Sequence, residues 1–206
     1  MKFKRKILFN LNNTDIKDQF YTICNNIEPK IPKENSVVMV TSFAQKQNIV
    51  NSTAYLALAF SEQRKKVLVI DANLHQPSLH HVFTIDNSFG LSNLLLNEQH
   101  QNGDNAIKIA DFLYCLPTGE SLYEPASLLR LESFSALIEV WKEHFDVILF
   151  HTSDYLNTPD ARIIAKHCDG IVLVIQEGRD KLGKIMDIKK DLERSKHEIT
   201  GTVIIS

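Results

Sequence analysis

The chain has 206 residues, of which 44% are hydrophobic and 23% are charged, so it is long and apolar enough to bury one globular core. Its formal charge of −2 provides no electrostatic argument for binding nucleic acid. Three scattered cysteines without metal-ligand spacing suit a reducing cytoplasm, and the apolar run after the basic start is too short for a signal peptide or a membrane-spanning segment.

The amino terminus is basic, and we predict that residues 1–13 form a solvated tail. A weak contact of this tail with a membrane surface is the alternative. The next segment predicts an opening helix capped by Thr14. Its apolar residues recur at helical spacing, at Ile16, Phe20, Ile23 and Ile27.

The rest of the chain alternates between apolar runs of strand length and amphipathic stretches of helix length. We predict strands over residues 37–41, 67–70, 112–116, 147–150, 171–175 and 202–205. We predict helices over about 49–64, 77–83, 126–142, 159–167 and 180–196, and a polar surface loop over 97–110. Pro77, Pro125 and Pro159 stand where helices would begin, because a missing N–H costs least there. This pattern predicts one α/β domain over residues 14–206, with a mostly parallel sheet and helices on both faces.

Ligands of such sheets bind at the carboxyl ends of the strands, and three strand ends carry informative residues. The first is followed by residues 43–51, FAQKQNIVN, which stand where a phosphate-binding loop would lie. That loop contains no glycine, and the first glycine of the chain is Gly90. A phosphate loop needs glycine because its backbone takes positive φ and must approach the phosphates closely. The second and third strand ends carry Asp71 and His151.

Three segments match a known family. The longest is KKVLVIDANLHQPSLHHVFTIDNSFGLSNLLL, residues 65–96, and the others are LPTGESLYEPASLL, residues 116–129, and residues 145–178. On these segments the chain resembles the bacterial tyrosine kinases of capsule and exopolysaccharide assembly, which are P-loop proteins related to the Min and Par ATPases. The resemblance runs from about Ile16 and implies a P-loop NTPase-like fold of the deviant Walker type. The Min and Par ATPases lack the PSLH and GLSNLL elements of the longest match, which argues against a Min/Par-like positioning factor.

The chain departs from the family at the residues that perform the chemistry. The family's phosphate loop, Gly-x-Gly-Lys-Ser/Thr-Thr, matches residues 46–51, so both glycines, the lysine and the magnesium-binding hydroxyl are replaced. The degenerate positions are Lys46, Asn48, Ile49, Val50 and Asn51. The family's Asp-x-Asp-x-Arg motif keeps Asp71 but carries Asn73 and His75, and His151 replaces the Walker B aspartate.

Two other family features are also altered. The Glu-x-x-Arg-x-x-Arg motif of the first helix, which supports ring-shaped assembly in the family, corresponds to Asp18, Tyr21 and Cys24, so both of its arginines are replaced here. Family members end in a cluster of tyrosines that they phosphorylate in one another, whereas no tyrosine follows Tyr155 in this chain.

Each remaining polar residue has a structural and a functional interpretation. Lys46 would be either a phosphate lysine out of register or, as we expect, an exposed lysine in a polar loop. Asp71 would hold a cation or an incoming hydroxyl, or would serve the structure at its strand end, which we favour. Four histidines raise the hypothesis of a zinc site, but no ligand spacing supports it, and we expect no metal. They are His75, His80, His81 and His151.

The resemblance and its departures predict a non-catalytic relative of the family that needs no cofactor. It would act as a regulatory or scaffolding module through a transmembrane kinase-adaptor protein, with an active kinase paralogue as a further partner. It would be cytoplasmic and recruited to the inner face of the membrane, without binding nucleic acid. The alternative is a residual protein-tyrosine kinase or ATPase that binds Mg-ATP in an atypical site.

Overall fold

The computed structural model describes residues 14–32, 34–43, 47–96, 105–120, 125–130, 132–178, 180, 182–195 and 197–205. The strands of that part are β1 Ser36–Ser42, β2 Val67–Asp71, β3 Ile107–Ala110, β4 Leu113–Leu116, β5 Val147–Asp154, β6 Gly170–Gln176 and β7 Ile199–Ile205. They form one sheet in the order β3-β4-β2-β5-β1-β6-β7. All pairings are parallel except that β3 runs antiparallel to β4.

Helices cover both faces of this sheet, as the sequence predicts. They are α1 Thr14–Ile27, α2 Gln47–Glu62, α3 Leu79–Phe83, α4 Leu91–Leu96, α5 Pro125–Leu128, α6 Glu132–Lys142, α7 Pro159–Ala165 and α8 Leu182–Arg194. Residues of α1, α2 and α3 form a first buried cluster against one face of the sheet. Residues of α4 to α8 form a second cluster against the other face. We refer to them as the first cluster and the second cluster.

Strand β1 illustrates how the sequence produces this two-sided core. All seven of its residues are buried. Val38 and Val40 pack into the first cluster, whereas Val37 and Met39 pack into the second. Successive side chains of a strand point to opposite faces, so a strand covered on both sides must be apolar throughout.

The structure corrects three predictions. Residues 107–110, predicted as part of a surface loop, form β3, an exposed edge strand whose mixed composition lacks the apolar pattern of a buried strand. The short helix α4 was not predicted, since six residues are too few to show helical periodicity. The predicted helix over 126–142 is two helices, α5 and α6, separated by a turn at Leu129 and Arg130.

The proline positions are confirmed in two cases of three. Pro125 and Pro159 are the first residues of α5 and α7. Helix α3 begins at Leu79 rather than Pro77, because the backbone N–H groups of Ser78 and Leu79 bind the Asp71 carboxylate.

The predicted basic tail, residues 1–13, lies outside the described residues, as does the side chain of Thr14, the residue at which α1 begins. Within the described ranges, no helix combines the length and apolar character needed to cross a lipid bilayer.

Candidate functional site

The sheet brings two of the predicted site residues side by side. Strand β5 lies between β2 and β1, and its register pairs His151 with Asp71 on one side and with Val40 on the other. Because these strands are parallel, their carboxyl ends share one edge of the sheet, where ligands of such folds bind. The candidate site is therefore this edge, together with the start of α2 and the loop from β2 to α3.

His151 is enclosed, with 1% of its surface exposed, and both ring nitrogens face hydroxyl groups. Its Nδ1 lies 3.1 Å from Thr53 Oγ1, and its Nε2 lies 3.2 Å from Ser78 Oγ. The Thr53 hydroxyl donates its proton to the carbonyl oxygen of Ile49 at 2.9 Å. Because the single proton of the Thr53 hydroxyl is used in that bond, Nδ1 donates its N–H to Thr53 Oγ1. In a neutral ring Nε2 then has no proton and accepts that of the Ser78 hydroxyl. We call His151, Thr53 and Ser78 the His151 network.

The imidazole of this network is neutral. Burial lowers the pKa of His151, and the nearby negative charge of Asp71 opposes that effect only in part. A neutral ring with one donor and one acceptor satisfies both hydroxyl contacts at once. The network therefore places no charge at the strand end where the family pattern has a carboxylate.

Asp71 is fully buried, and its carboxylate is surrounded by backbone donors. Its Oδ2 accepts the N–H groups of Ser78 at 2.7 Å and Leu79 at 2.8 Å, and its Oδ1 accepts that of Asn73 at 3.3 Å. The Thr118 hydroxyl donates to its backbone carbonyl oxygen at 2.8 Å. These bonds hold the loop after β2 and the start of α3.

Asn73 and His75 also have local partners. The Asn73 side-chain oxygen accepts the Gln76 N–H at 3.3 Å, which closes a turn. His75 Nε2 lies 3.0 Å from a carboxylate oxygen of Asp160, a buried residue in the first turn of α7. The position at which the family has an arginine thus links the β2–α3 loop to α7.

The described part of the degenerate phosphate loop contributes apolar side chains to the core. Ile49 and Val50 are 5% and 1% exposed and belong to the first cluster. Neither side chain has a polar atom that could meet a phosphate or a cation. Asn51 is half-buried, whereas Lys46 and the side chain of Asn48 lie outside the described residues.

The four histidines of the zinc hypothesis have separate environments. His75 pairs with Asp160, His151 belongs to its network, and the rings of His80 and His81 lie against each other with centroids 3.8 Å apart. Among the described residues, no three His, Cys, Asp or Glu side chains are close enough to share a metal ion.

Residues of the family's assembly motif are used within the monomer. Cys24 is fully buried in the first cluster, and the Tyr21 hydroxyl donates to the Glu62 carboxylate on α2. Asp18 remains exposed on α1. Two of these three side chains are therefore committed to the packing of α1 on α2.

Sequence reasoning missed two members of the His151 network. Thr53 follows Ile49 by four residues, so helical spacing places both on the face of α2 that meets the sheet, and this signal was available. In the sequence, Ser78 stands out only as part of the segment of residues 65–96 that matches the family. Nothing in the sequence indicates that its hydroxyl reaches a residue 73 positions away.

No family model matches the chain. In sequence, it is 30% identical over 188 residues to the tyrosine-protein kinase YwqD of Bacillus subtilis (strain 168), covering 91% of this chain and 79% of that protein. In structure, it is similar to the chimerical protein CapA2B2, with a TM-score of 0.86 at 23% identity, over 96% of this chain and 88% of that one. It is also similar to the cell division ATPase MinD of Pyrococcus furiosus, with a TM-score of 0.63 at 23% identity, over 81% of this chain and 71% of that one.

Proposed function

Because this chain belongs to the bacterial tyrosine-protein kinase family, we propose that it is a non-catalytic member, which acts as a regulatory or scaffolding module of capsule or exopolysaccharide synthesis. One observation carries the proposal. The neutral His151 network and the apolar start of α2 occupy the positions from which the family pattern supplies magnesium and phosphate ligands.

The charges around this site are unfavourable for a magnesium nucleotide. Phosphoryl transfer depends on metal ions and cationic side chains for nearly all of its charge stabilisation. Here Ile49 and Val50 are apolar, and both nitrogens of His151 are hydrogen-bonded. A metal bound by Asp71 would compete with the N–H groups that position the start of α3.

The estimated loss of binding free energy for a nucleotide supports the same proposal. Hydrogen bonds to charged groups contribute roughly 1.5–3 kcal/mol each. Loss of the phosphate lysine, the metal-binding hydroxyl and one or two backbone donors would cost about 5–8 kcal/mol if these contributions add. That corresponds to a weakening on the order of 10⁴-fold, enough to move a micromolar site to tens of millimolar.

The proposed partner is a transmembrane kinase-adaptor protein of the polysaccharide system. The protein would bind the adaptor's cytoplasmic segment at the inner face of the membrane, with an active kinase paralogue as a second partner. Support comes from the intact scaffold, since both faces of the sheet retain a packed core although Asp71 is the one family residue kept among those that the sequence assigns to the site chemistry.

A thermal-shift titration with Mg-ATP and Mg-ADP tests the non-catalytic assignment. A ligand at 100 times its dissociation constant adds about 2.7 kcal/mol of stability, which raises the melting temperature by several degrees in a domain of this size. We expect no shift at about 5 mM nucleotide, since even a site of about 1 mM would give a measurable effect. A catalytically active relative measured in parallel is the positive control.

A magnesium-dependent shift in the millimolar range that disappears in Asn73→Ala would overturn the proposal in favour of a residual kinase or ATPase. Asn73 is suited to this comparison because its side chain closes only a local turn, whereas Asp71→Ala would also release α3. Capture of the chain by the immobilised cytoplasmic segment of the adaptor is the expected result of a binding assay. Absence of both nucleotide binding and adaptor binding would contradict the assignment as an adaptor module.

A further inference from the structure

A concave site lies on the opposite face of the sheet from the His151 network. It is a cleft of about 410 Å³ between α7 and the carboxyl-terminal end of α8, and we call it the α7–α8 cleft. Tyr155, which lines the cleft, belongs to the second cluster, whereas the helix that carries Thr53 packs into the first. None of the residues lining the cleft belongs to the candidate site described above.

Cations outnumber anions in this cleft. Arg130, Arg162 and Lys166 line it together with a single carboxylate, that of Asp191. Asp191 Oδ2 is engaged by Arg162 Nε at 3.0 Å. Arg130 and Lys166 form no ion pair with any described residue. Three cations against one anion leave the cleft with a charge of +2, an excess that an anionic ligand would neutralise.

Two contacts position Arg162 in the cleft. Tyr155 is almost fully buried, and the Arg162 guanidinium lies over its ring at 5.6 Å. Burial, followed by the charge of Asp191, raises the pKa of Tyr155 to about 12, so its hydroxyl stays protonated and its side chain uncharged. Because Arg162 is fixed between the Tyr155 ring and Asp191, little side-chain entropy is lost when it meets a ligand.

The volume and charge of the cleft define the ligand class. A cleft of this size lies at the small end of the range for metabolite sites, which suits one compact group. A phosphomonoester has a charge of about −1.5 to −2 at pH 7, which matches the excess in the cleft, whereas a carboxylate would neutralise only half of it. Guanidinium groups also match the oxygen geometry of phosphate.

We propose that the α7–α8 cleft binds the phosphomonoester group of a small metabolite, with Arg130 and Lys166 as the anchoring cations and Arg162 as a pre-positioned third contact. His197 lines the same cleft as a further polar contact beside Lys166. The proposal does not rest on the function proposed above.

Isothermal titration at low salt with glucose 1-phosphate, inorganic phosphate and unphosphorylated glucose tests this site. We expect millimolar or tighter binding of both phosphate compounds and none of glucose. Lys166→Met and Arg130→Gln should each weaken binding by about tenfold, the value of one charge-assisted hydrogen bond. Lys184→Met, at an exposed lysine of α8 outside the cleft, is the matched control and should leave binding unchanged.

Several outcomes would overturn the site. One is that neither phosphate compound binds at a concentration of about 10 mM. Another is that glucose binds as tightly as glucose 1-phosphate, and a third is that Lys166→Met and Arg130→Gln bind phosphate as tightly as the unsubstituted protein. Tighter binding of single-stranded DNA that is lost in the same variants would instead identify a polyanion surface.

An ATP-induced thermal shift can distinguish this cleft from the candidate site. A shift that needs no magnesium and is lost in Lys166→Met, but not in Asn73→Ala, would support the cleft and leave the non-catalytic assignment intact.

Discussion

At position 151, a neutral imidazole occupies the strand end beside the buried carboxylate of Asp71. A second carboxylate at this position would set two buried negative charges side by side, which is strongly unfavourable unless a cation lies between them. Histidine avoids that repulsion and satisfies the hydroxyls of Thr53 and Ser78. The residue is therefore suited to a site that stays folded without a bound metal.

The buried histidine should make stability depend on pH. Burial holds the pKa of His151 below its ordinary value of 6.5. Below about pH 6.5, His151 is therefore protonated in the unfolded chain but stays neutral in the folded chain until the pH approaches its lowered pKa. Its contribution to stability is complete above about pH 6.5 and is lost as the pH falls toward the folded-state pKa. Lowering the pH from 7.5 to 5.5 should reduce the free energy of unfolding. We expect this reduction to be about 1 kcal/mol smaller in His151→Gln than in the unsubstituted protein.

Urea denaturation at the two pH values measures this difference. His144→Gln, at an exposed histidine after α6, is the matched control and should retain the pH dependence of the parent protein. Equal losses in His151→Gln and the parent would show that His151 is not the buried neutral group responsible.

Among the helices, α4 shows how elements are locked together near the candidate site. The backbone N–H groups of Leu91 and Ser92 donate to the carbonyl oxygens of Pro117 at 2.9 Å and Thr118 at 2.8 Å. Thr118 in turn binds the carbonyl oxygen of Asp71 through its hydroxyl. The loop after β4 therefore connects the start of α4 to the end of β2.

Glycine is required where these segments meet. A Cβ on Gly90 would lie 2.1 Å from the Pro117 carbonyl oxygen, a contact with backbone that a rotamer change cannot relieve. We expect Gly90→Ala to lower the free energy of unfolding by about 3 kcal/mol, the upper range for overpacking a core. Gly183→Ala, at a helical position of α8 with open space around it, should instead raise it by about 0.5–1 kcal/mol.

Chemical denaturation of both glycine variants provides the comparison. A destabilisation below about 1 kcal/mol in Gly90→Ala would mean that the α4 junction can shift apart, contrary to the close backbone contact. Equal effects of the two substitutions would show that general glycine flexibility, rather than the junction, determines the result.

Across the whole molecule, stability is expected to be highest in the centre of the sheet. Strand β5 pairs with both β1 and β2 and contributes residues to both clusters. Strand β3 lies at the edge of the sheet and pairs only with β4, and its first two residues are exposed. Removing β3 from the sheet would therefore expose little of the core.

Amide hydrogen exchange should show this gradient. We expect the amides of β5 to exchange only through global unfolding and those of β3 through local opening, with a free-energy difference of at least about 2 kcal/mol. Mass spectrometry of peptides covering residues 107–110 and 147–154 measures the difference. Equal protection of the two strands would contradict the expected gradient of stability from the centre of the sheet to its edge.

The sequence predicted those parts of the structure that depend on local pattern. Apolar runs identified β1, β2, β5 and β6 because their residues are buried on both faces, and Pro159 marked the start of α7 through its fixed φ. The exposed strand β3 and the short helix α4 were missed because neither contains enough periodic residues to stand out.

What the sequence determined by itself was the fold class, the family resemblance and the replacement of the family's phosphate-loop and Walker B residues by Ile49, Val50 and His151. Only the tertiary structure decided the environment of those side chains. The Thr53 hydroxyl reaches His151 from α2 and the Ser78 hydroxyl from the loop before α3, and the cations of the α7–α8 cleft come from separate elements. Periodicity reports which face a residue occupies, but hydrogen bonds and clefts between distant segments form only when the sheet order sets those faces against each other.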